Sequence, residues 1–239
     1  MKRVLIGIGV VVLLLVLAAG GVAYSAFGHT SAIVDGQALV DGVQVVKDGF
    51  VSVVIVDGSP GKVFLIDAGN DKSGKHVLDA LTARGLNASS VEAIFLTHGH
   101  PDHTAAAAMF PQAAIYAMKT ELPLIGDKLK VTHPLEDGEK VKLGDTDVEA
   151  FAVPGHTPGS AAFLTRGVLF FGDSAGGGKD GTLLPAVRFF SKDPAQNIAS
   201  LKGLEARLEP RKGEVKVLAF AHSGPLQGFG PLEAFAESH

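Results

Sequence analysis

The sequence predicts a mixed α/β (α+β) domain, and two observations support this fold class. Short runs rich in Val, Ile and Phe alternate with segments of helical character, which is typical of sheets covered by helices. Several runs end in a histidine or an aspartate beside glycine or proline, as strands do when the loops at their tips carry site residues. The length of 239 residues and the hydrophobic content of 46% suit one compact domain, or one domain with a tail.

The chain begins with a segment that is typical of membrane targeting. Lys2 and Arg3 precede an uncharged apolar run that exceeds the roughly 20 residues needed to cross a bilayer. Residues 1–28 are therefore predicted to form an apolar helix that either stays as a membrane anchor or is cleaved as a signal peptide after Ser25. Both interpretations place residues 31–239 outside the cytoplasmic membrane, either in a single-pass protein or in an exported, periplasmic one.

Strands and one helix are predicted for the first part of the following domain. Residues 50–57 and 62–67 are strand-like runs separated by a Gly-Ser-Pro turn, which is typical of a hairpin. Residues 70–84 are predicted to be helical, and Gly85 is placed to end that helix. Residues 91–97 form a predicted strand that leads into the most polar motif of the chain.

Helices and strands also alternate in the rest of the domain. Residues 104–109 are alanine-rich, which predicts that a helix begins within that polar motif, with amide groups that face the carboxylate of Asp102. Asp193 before Pro194 is typical of a helix N-terminus, and this helix is predicted to end near Leu208. Further predicted elements are strands at residues 114–118, 148–153, 161–165, 168–171 and, as the last strand, 215–221, with a closing helix at 231–237.

Four candidate metal ligands lie within six residues, directly after the predicted strand at 91–97. They are His98, His100, Asp102 and His103. Crowding three imidazoles and a carboxylate into one small volume is unfavourable unless they are paired, and a bound cation pairs with all of them. The motif therefore predicts half of a metal site.

The other half of the site is predicted at three later strand ends. His156 lies between two Pro/Gly turns, Asp173 follows an apolar run, and His222 follows another. Each of these residues lies in the loop that directly follows a predicted buried strand, where site residues are commonly found. We therefore expect these three side chains to complete the ligand set.

The motifs occur in a fixed order along the chain. The order is Phe64-Leu-Ile-Asp67-Ala-Gly69, His98-x-His100-x-Asp102-His103, Gly155-His156-Thr-Pro-Gly, Gly172-Asp173 and His222. In this order they resemble the metallo-β-lactamase-fold hydrolase superfamily over roughly residues 31–236. The resemblance implies a four-layer αβ/βα sandwich with a two-metal site in the cleft between its halves. True β-lactamases of this fold generally lack an aspartate at the position of Asp173, so antibiotic hydrolysis is not expected.

The resemblance also implies how the ligands are shared between two metals. The first metal would be held by His98, His100 and His156, the second by Asp102, His103 and His222, and Asp173 would bridge them. Two Zn²⁺ per chain are expected, with iron or manganese as alternatives. A hydroxide held between two such ions becomes a nucleophile near neutral pH, and Asp102 would take up its proton. Asp67 is predicted to hydrogen-bond nearby loop backbone without touching a metal.

This chemistry predicts a hydrolase that cleaves an ester, thioester, lactone or phosphodiester bond in a small-molecule substrate. Thioesterases of the glyoxalase II type carry a C-terminal domain that binds glutathione, whereas a short stretch follows His222 here. Lactonases of the superfamily usually have a tyrosine where this chain has Gly176. Two other classes stay open, namely a persulfide dioxygenase with a single iron and a non-catalytic metal-binding module. The complete ligand set favours the two-metal hydrolase.

Composition excludes several other functions. The net charge of −4 and the lack of a dense Lys/Arg run argue against a nucleic-acid partner. The chain has no cysteine, which excludes disulfides and a thiol nucleophile. The glycine-rich residues 176–181 are predicted to form a solvated loop, with a place at the substrate entrance as the alternative. An apolar stretch is assigned to the core, with a substrate-facing wall as the alternative, and it comprises Leu183, Leu184, Phe189 and Phe190. The remaining histidines are assigned to ordinary surface or helix positions: His29, His76, His133 and His239.

Overall fold

The computed structural model of the chain describes residues 28–239. The predicted N-terminal helix lies outside the described residues apart from its last residue, so its proposed membrane role and the location of the domain stay predictions. Within residues 28–239, no helix combines the length and the apolar character that crossing a bilayer requires.

Seven strands form the first sheet and follow one another across it in chain order. They are β1 (Ala38–Val40), β2 (Val43–Asp48), β3 (Val51–Asp57), β4 (Val63–Ile66), β5 (Val91–Phe95), β6 (Ala114–Met118) and β7 (His133–Leu135). Strands β1 to β4 pair antiparallel, whereas β4 to β7 run parallel. The parallel arrangement brings the carboxyl ends of β4 and β5 to the same edge of the sheet, where ligands commonly bind.

A second sheet of six strands and a two-stranded ribbon are built from the later part of the chain. The strands are β8 (Lys140–Leu143), β9 (Thr146–Ala152), β10 (Ala161–Thr165), β11 (Val168–Phe170), β12 (Ala175–Gly177), β13 (Leu183–Pro185), β14 (Val217–Ala219) and β15 (Leu226–Gln227). The order in the sheet is β15-β14-β11-β10-β9-β8, and β12 pairs with β13 in the ribbon. Within residues 28–239, β11 and β14 are the only neighbouring strands of this sheet that run parallel, and its other neighbouring strands pair antiparallel.

Five α-helices accompany the sheets in the described part of the chain. They are α1 (Lys75–Ala83), α2 (Pro101–Thr104), α3 (Leu122–Ile125), α4 (Pro194–Leu208) and α5 (Gly230–Ser238). Helix α4 begins where its N-cap predicts, because the Asp193 carboxylate accepts a hydrogen bond of 2.9 Å from the Gln196 amide. Helix α1 ends just before Gly85, whose φ of 69° lies in the left-handed region.

Three apolar clusters hold these elements together. Phe95 of the first sheet meets Phe163 of the second, with ring centroids 5.4 Å apart, in a core shared by the facing sides of both sheets. Leu81 of α1 is buried against the opposite side of the first sheet. Leu204 of α4 and Phe235 of α5 are buried against the opposite side of the second. The strands alternate their side chains between these clusters, which fixes the register of each strand.

The predicted mixed α/β class is confirmed, together with most of the predicted elements. The hairpin of β3 and β4 occurs at the predicted Gly-Ser-Pro turn. Helices α1, α4 and α5 lie at the predicted places, with ends that differ by a few residues. The strand predicted at 215–221 is shorter, and it is not the last strand, because β15 follows it.

A helix begins within the His98–His103 motif, as predicted, but its continuation over residues 104–109 is wrong. The chain forms the single turn of α2 and a separate 3₁₀ turn at Ala107–Met109. The reason is that backbone groups here bond to the loop after β4: the Ala105 amide donates to Gly69 O at 3.1 Å, and His103 O accepts from the Ala68 amide at 2.7 Å. These bonds replace the continued helical ladder that alanine would otherwise favour.

The glycine-rich segment at 176–181 is only partly the solvated loop that was predicted. Gly176 and Gly177 belong to β12, and Gly177 is buried. A Cβ atom on Gly177 would lie 2.6 Å from Gly224 O, so glycine is required by close packing at this position and not by flexibility. Only the end of the segment, from Lys179 to Gly181, is exposed.

The shared core predicts a large effect of truncating Phe163. We expect Phe163→Ala to lower the free energy of unfolding by about 3–5 kcal/mol, because the side chain is fully buried between the sheets. Urea unfolding at a fixed metal concentration measures the change. Phe189→Ala is the control, because this side chain is 75% exposed, and it should change the free energy of unfolding by no more than about 0.5 kcal/mol. Equal losses in the two variants would contradict this description of the core.

Candidate metal centre

All seven predicted ligands lie together where the strand ends of the two large sheets meet. The set comprises His98, His100, Asp102 and His103 after β5, His156 after β9, Asp173 after β11 and His222 after β14. Their ligand atoms fall into two groups, and within each group all atoms lie within 4.8 Å of one another. The fold therefore brings residues up to 124 positions apart (98 to 222) to one place, as the sequence predicted.

The first group has three imidazole nitrogens around one point. The distances are 3.0 Å between His98 Nε2 and His100 Nδ1, 3.1 Å between His100 Nδ1 and His156 Nε2, and 3.2 Å between His98 Nε2 and His156 Nε2. Asp173 Oδ2 completes the group at 3.5 Å from His156 Nε2. Nitrogens bound at about 2.0–2.1 Å to a tetrahedral zinc ion lie roughly 3.3 Å apart, so these residues fit such an ion.

The second group contains one carboxylate from the motif and two imidazoles. Asp102 Oδ2 lies 3.4 Å from His222 Nε2 and 3.6 Å from His103 Nε2. Asp173 Oδ1 faces the same two nitrogens, at 3.1 Å from His222 and 3.3 Å from His103. Asp173 therefore directs one oxygen to each group. Burial raises its pKa, but the imidazoles of His103 and His222 outweigh burial and hold the pKa well below its usual range.

Two buried atoms of the second group lack a hydrogen bond of acceptable geometry within the described residues. They are His103 Nε2 and Asp173 Oδ1. Buried polar atoms are nearly always paired, so an orphaned nitrogen and oxygen that face each other indicate a missing partner between them. The histidine nitrogen and carboxylate oxygen are donors that Zn²⁺ prefers, and the residues present therefore fit a metal in this group as well.

Asp67 connects the two ligand loops of the first sheet. Its carboxylate accepts hydrogen bonds from the Thr97 amide (2.8 Å), the Thr97 hydroxyl (2.8 Å) and His103 Nδ1 (2.8 Å). Because a carboxylate only accepts, His103 Nδ1 must donate and Nε2 faces the site. Thr97 Oγ1 lies 3.1 Å from His98 Nδ1, which extends the network to the first group. The prediction that Asp67 bonds to loop backbone beside the site is confirmed by these distances.

Glu121 connects the His98–His100 turn to the loop that carries His156. Its Oε1 accepts from the Gly99 amide at 2.7 Å, and its Oε2 accepts from the Gly159 amide at 2.8 Å and from the Thr157 hydroxyl at 2.9 Å. The residue is completely buried, and burial raises its pKa although these three donors act in the opposite direction. Sequence analysis missed this residue, since no local motif marks a carboxylate whose partners lie 22, 36 and 38 positions away.

Electrostatics differ between the two ligand groups. Burial lowers the pKa of His98 well below its usual value and that of His156 to about 4, so both rings are neutral at pH 7 and present lone pairs. Burial also disfavours the charged form of His222, but Asp102 and Asp173 outweigh it and raise its pKa to about 10. A place where two carboxylates stabilise a proton also stabilises a metal cation.

A cavity of about 580 Å³ opens over the ligand cluster. Its polar side includes Asp102, Asp173 and His222. The lining also contains five apolar residues, which we call the apolar wall: Phe50, Leu184, Pro185, Val187 and Phe190. The assignment to the core is correct for the buried Leu183 and wrong for the other three residues: Leu184 and Phe190 line the cavity, and Phe189 is 75% exposed and outside the lining.

Comparison with known protein families gives one match across most of the chain. The family model of the metallo-β-lactamase superfamily matches residues 46–222. The hydroxyacylglutathione hydrolase of Aeromonas hydrophila subsp. hydrophila is 37% identical over 139 residues, which are 54% of this chain and 48% of that protein. The hydroxyacylglutathione hydrolase of Dechloromonas aromatica is 34% identical over 148 residues, covering 61% and 49%. The chain spans about half the length of these curated relatives.

Solved structures show the same fold at low sequence identity. BJP-1, a subclass B3 metallo-β-lactamase of Bradyrhizobium japonicum, has a TM-score of 0.63 at 21% identity and covers 90% of this chain and 93% of its own. A metallo-β-lactamase family protein from Thermus thermophilus has a TM-score of 0.62 at 22% identity and covers 84% and 80%. Likeness at these identities concerns the fold alone.

The hydrogen bonds of Asp67 predict that this side chain orients His103. Asp67→Asn keeps the size of the side chain, and asparagine tolerates the φ of 61° at this position. The substitution removes the negative charge and replaces one acceptor oxygen with an NH₂ group. We expect one metal per chain to bind about 10- to 100-fold more weakly, which is the usual effect of losing such a partner. Competition with a chromophoric chelator measures the affinity. Asp71→Asn is the control, because the Asp71 side chain bonds to Ser73 and belongs to neither ligand group, and equal affinity in both variants would contradict the role of Asp67.

The three hydrogen bonds of Glu121 predict a comparable effect on the other ligand group. Glu121→Gln replaces one acceptor oxygen with a donor NH₂ group, which must face a backbone amide or the Thr157 hydroxyl. We expect weaker metal binding by about tenfold and an altered visible spectrum of the cobalt-substituted protein. Glu92→Gln is the matched control, since Glu92 also accepts from a backbone amide and a hydroxyl of one residue, Ser59, away from the cluster. A spectrum identical to that of the unaltered protein would contradict the prediction.

Proposed function

Because the chain belongs to the metallo-β-lactamase superfamily, we propose that it is a metal-dependent hydrolase with two metal ions at one site. The arrangement of Asp173 carries this proposal. Its Oδ2 faces the first group, 3.5 Å from His156 Nε2, and its Oδ1 faces the second, 3.1 Å from His222 Nε2. A carboxylate with one oxygen directed to each group is suited to bridge two cations, as dinuclear hydrolases require.

The proposal assigns every residue of the cluster to a metal. The first metal would be bound by His98, His100 and His156, the second by Asp102, His103 and His222, and both by Asp173. Imidazole and carboxylate ligands favour zinc, and iron or manganese accept the same donors. Bound zinc polarises a substrate oxygen and lowers the pKa of a coordinated water towards about 7.

Asp102 is the residue that we propose as proton acceptor. It lines the cavity and is partly exposed. Burial acts to raise its pKa, but the hydrogen bond from His222 and the charge of His103 lower it below the ordinary value. The carboxylate is therefore ionised near neutral pH, and it is placed to accept the proton of an attacking water.

Cleavage of an ester, thioester, lactone or phosphodiester bond fits this ligand set. The relatives named hydroxyacylglutathione hydrolase support the thioester class, although the chain spans about half of their length. The likeness to B3 metallo-β-lactamases concerns the fold and does not favour β-lactams. The complete second ligand group supports two metals over the single iron of a persulfide dioxygenase.

Metal content and turnover of the full-length chain test this function. We expect about two zinc ions per chain by elemental mass spectrometry, and metal-dependent hydrolysis in a screen of lactones, thioesters and phosphodiesters. Asp173→Ala should retain one metal or fewer and lower kcat by orders of magnitude, because both ions lose a ligand. His133→Ala is the control, since His133 is exposed on β7 outside both groups. Unchanged metal content and turnover in Asp173→Ala would contradict the two-metal site, and about one iron per chain would favour the dioxygenase.

A further inference from the structure

The cavity lining contains two chemically different sets of residues. The polar set comprises residues that the proposed function assigns to the metals together with Thr30, Asn70 and Ser223, whereas the apolar wall offers hydrocarbon surface and backbone. Its described lining contains no lysine and no arginine. Both carboxylates in the lining, Asp102 and Asp173, are directed at the ligand groups. A substrate that reaches the proposed metals therefore also contacts apolar side chains.

Two aromatic residues of the apolar wall are unusually exposed for their size. Phe50 is 59% exposed and stacks on His222, with ring centroids 5.7 Å apart and an interplanar angle of 12°. Phe190 is 49% exposed in the 3₁₀ turn Arg188–Phe190. Large apolar surfaces beside a cluster of charged and polar ligands are typical of a binding site that a ligand covers.

A charged carrier group does not suit this cavity. Glutathione has two carboxylates, and buried carboxylates need cationic or hydrogen-bond partners to offset the loss of water. The described lining offers no lysine or arginine, and its polar side chains outside the ligand groups are the uncharged Thr30, Asn70 and Ser223. An uncharged alkyl or aryl group needs none, and burying it is favourable in proportion to its apolar area.

We propose that the substrates are esters, lactones or thioesters with an uncharged, apolar acyl group, and that Phe50, Leu184 and Phe190 determine this specificity. The inference rests on the proposed hydrolase function. Water adds its oxygen to the acyl carbon, the acyl–oxygen or acyl–sulfur bond breaks, and the leaving group takes up a proton. The acyl chain lies along the apolar wall throughout. The volume of about 580 Å³ is within the range of small-molecule sites and accommodates a medium-length chain beside the scissile bond.

A chain-length series on the full-length, zinc-loaded protein tests the specificity. The substrates are p-nitrophenyl acetate, butyrate and hexanoate, and the matched thioesters are S-hexanoylglutathione and S-ethyl thiohexanoate. We expect kcat/KM to rise at least about tenfold from acetate to hexanoate, because each buried methylene contributes up to about fourfold. The glutathione thioester should be hydrolysed no faster than the neutral thioester.

Two neighbouring phenylalanines provide a matched pair of variants. Phe190→Ala should lower the ratio of hexanoate to acetate activity by about threefold or more, because it removes part of the apolar wall. Phe189→Ala should change the ratio less than Phe190→Ala does, since Phe189 is outside the cavity lining and 75% exposed and reaches the site only through its contact with the Phe190 ring, 5.1 Å between centroids. Binding of 2-nonanone, followed by titration calorimetry, reports on the apolar wall without turnover and should be weakened more by Phe190→Ala than by Phe189→Ala.

The outcomes separate the two proposals. Hydrolysis that is independent of chain length, or at least tenfold faster with the glutathione thioester, would overturn the substrate class and keep the hydrolase. The hydrolase function would be overturned if the two-metal protein hydrolysed no ester. Binding of 2-nonanone that is weakened by Phe190→Ala would in that case still support the apolar site. Equal effects of the two phenylalanine variants would overturn the role of Phe190.

Discussion

The buried carboxylate of Asp67 is the interaction on which the geometry of the ligand cluster depends. Asp67 joins the end of β4 to the end of β5. Its carboxylate accepts hydrogen bonds from Thr97 and His103, and its backbone amide donates to Phe95 O at 2.9 Å. These bonds fix the tautomer of His103 and the course of the loop at once. The parallel pairing of β4 and β5 makes this possible, because it brings both strand ends to one edge. The positive φ of Asp67 is tolerated here because the three donors hold its side chain in place.

The second constraint is the junction of the two sheets, because neither sheet carries a complete ligand group. The Ala161 amide donates to Thr97 O at 2.8 Å, and the Ser52 amide donates to Ala221 O at 2.8 Å. Gly172 allows the Asp173 loop to approach so closely that a Cβ atom there would lie 2.3 Å from Thr97 Oγ1. The apolar core between the sheets and these few hydrogen bonds at its edge therefore together fix the positions of the ligand loops. A change in sheet packing alters the distances between ligands even where no ligand is substituted.

The ligands were predictable from the sequence because each follows an apolar run, and a strand end is a local signal. Glu121 was not, since its role arises only when β6 places it between two distant glycine amides. The helix that begins within the motif does not continue over residues 104–109 for a related reason: alanine favours a helix locally, but Ala105 bonds to the loop after β4. The glycines around Gly177 likewise suggest flexibility in the sequence, whereas packing fixes this residue in the fold. Local pattern thus predicts which side chains come together, while tertiary contacts decide what holds them.

The candidate ligands and the apolar wall come mostly from different parts of the chain, so the proposed chemistry and the proposed specificity can vary separately. The candidate ligands follow strand ends and are held by the buried Asp67 and Glu121, so a substitution among them disturbs both ligand groups. The apolar wall comes from Phe50 and from the segment around β13 and Phe190, where side chains are more exposed and less constrained. Apart from Phe50, which stacks on His222, these residues can change without loss of the ligand network. This gives a physical reason why proteins of one fold, at about 20% identity, need not share a substrate. The substrate class therefore has to be inferred from the residues of the apolar wall and not from the candidate metal ligands.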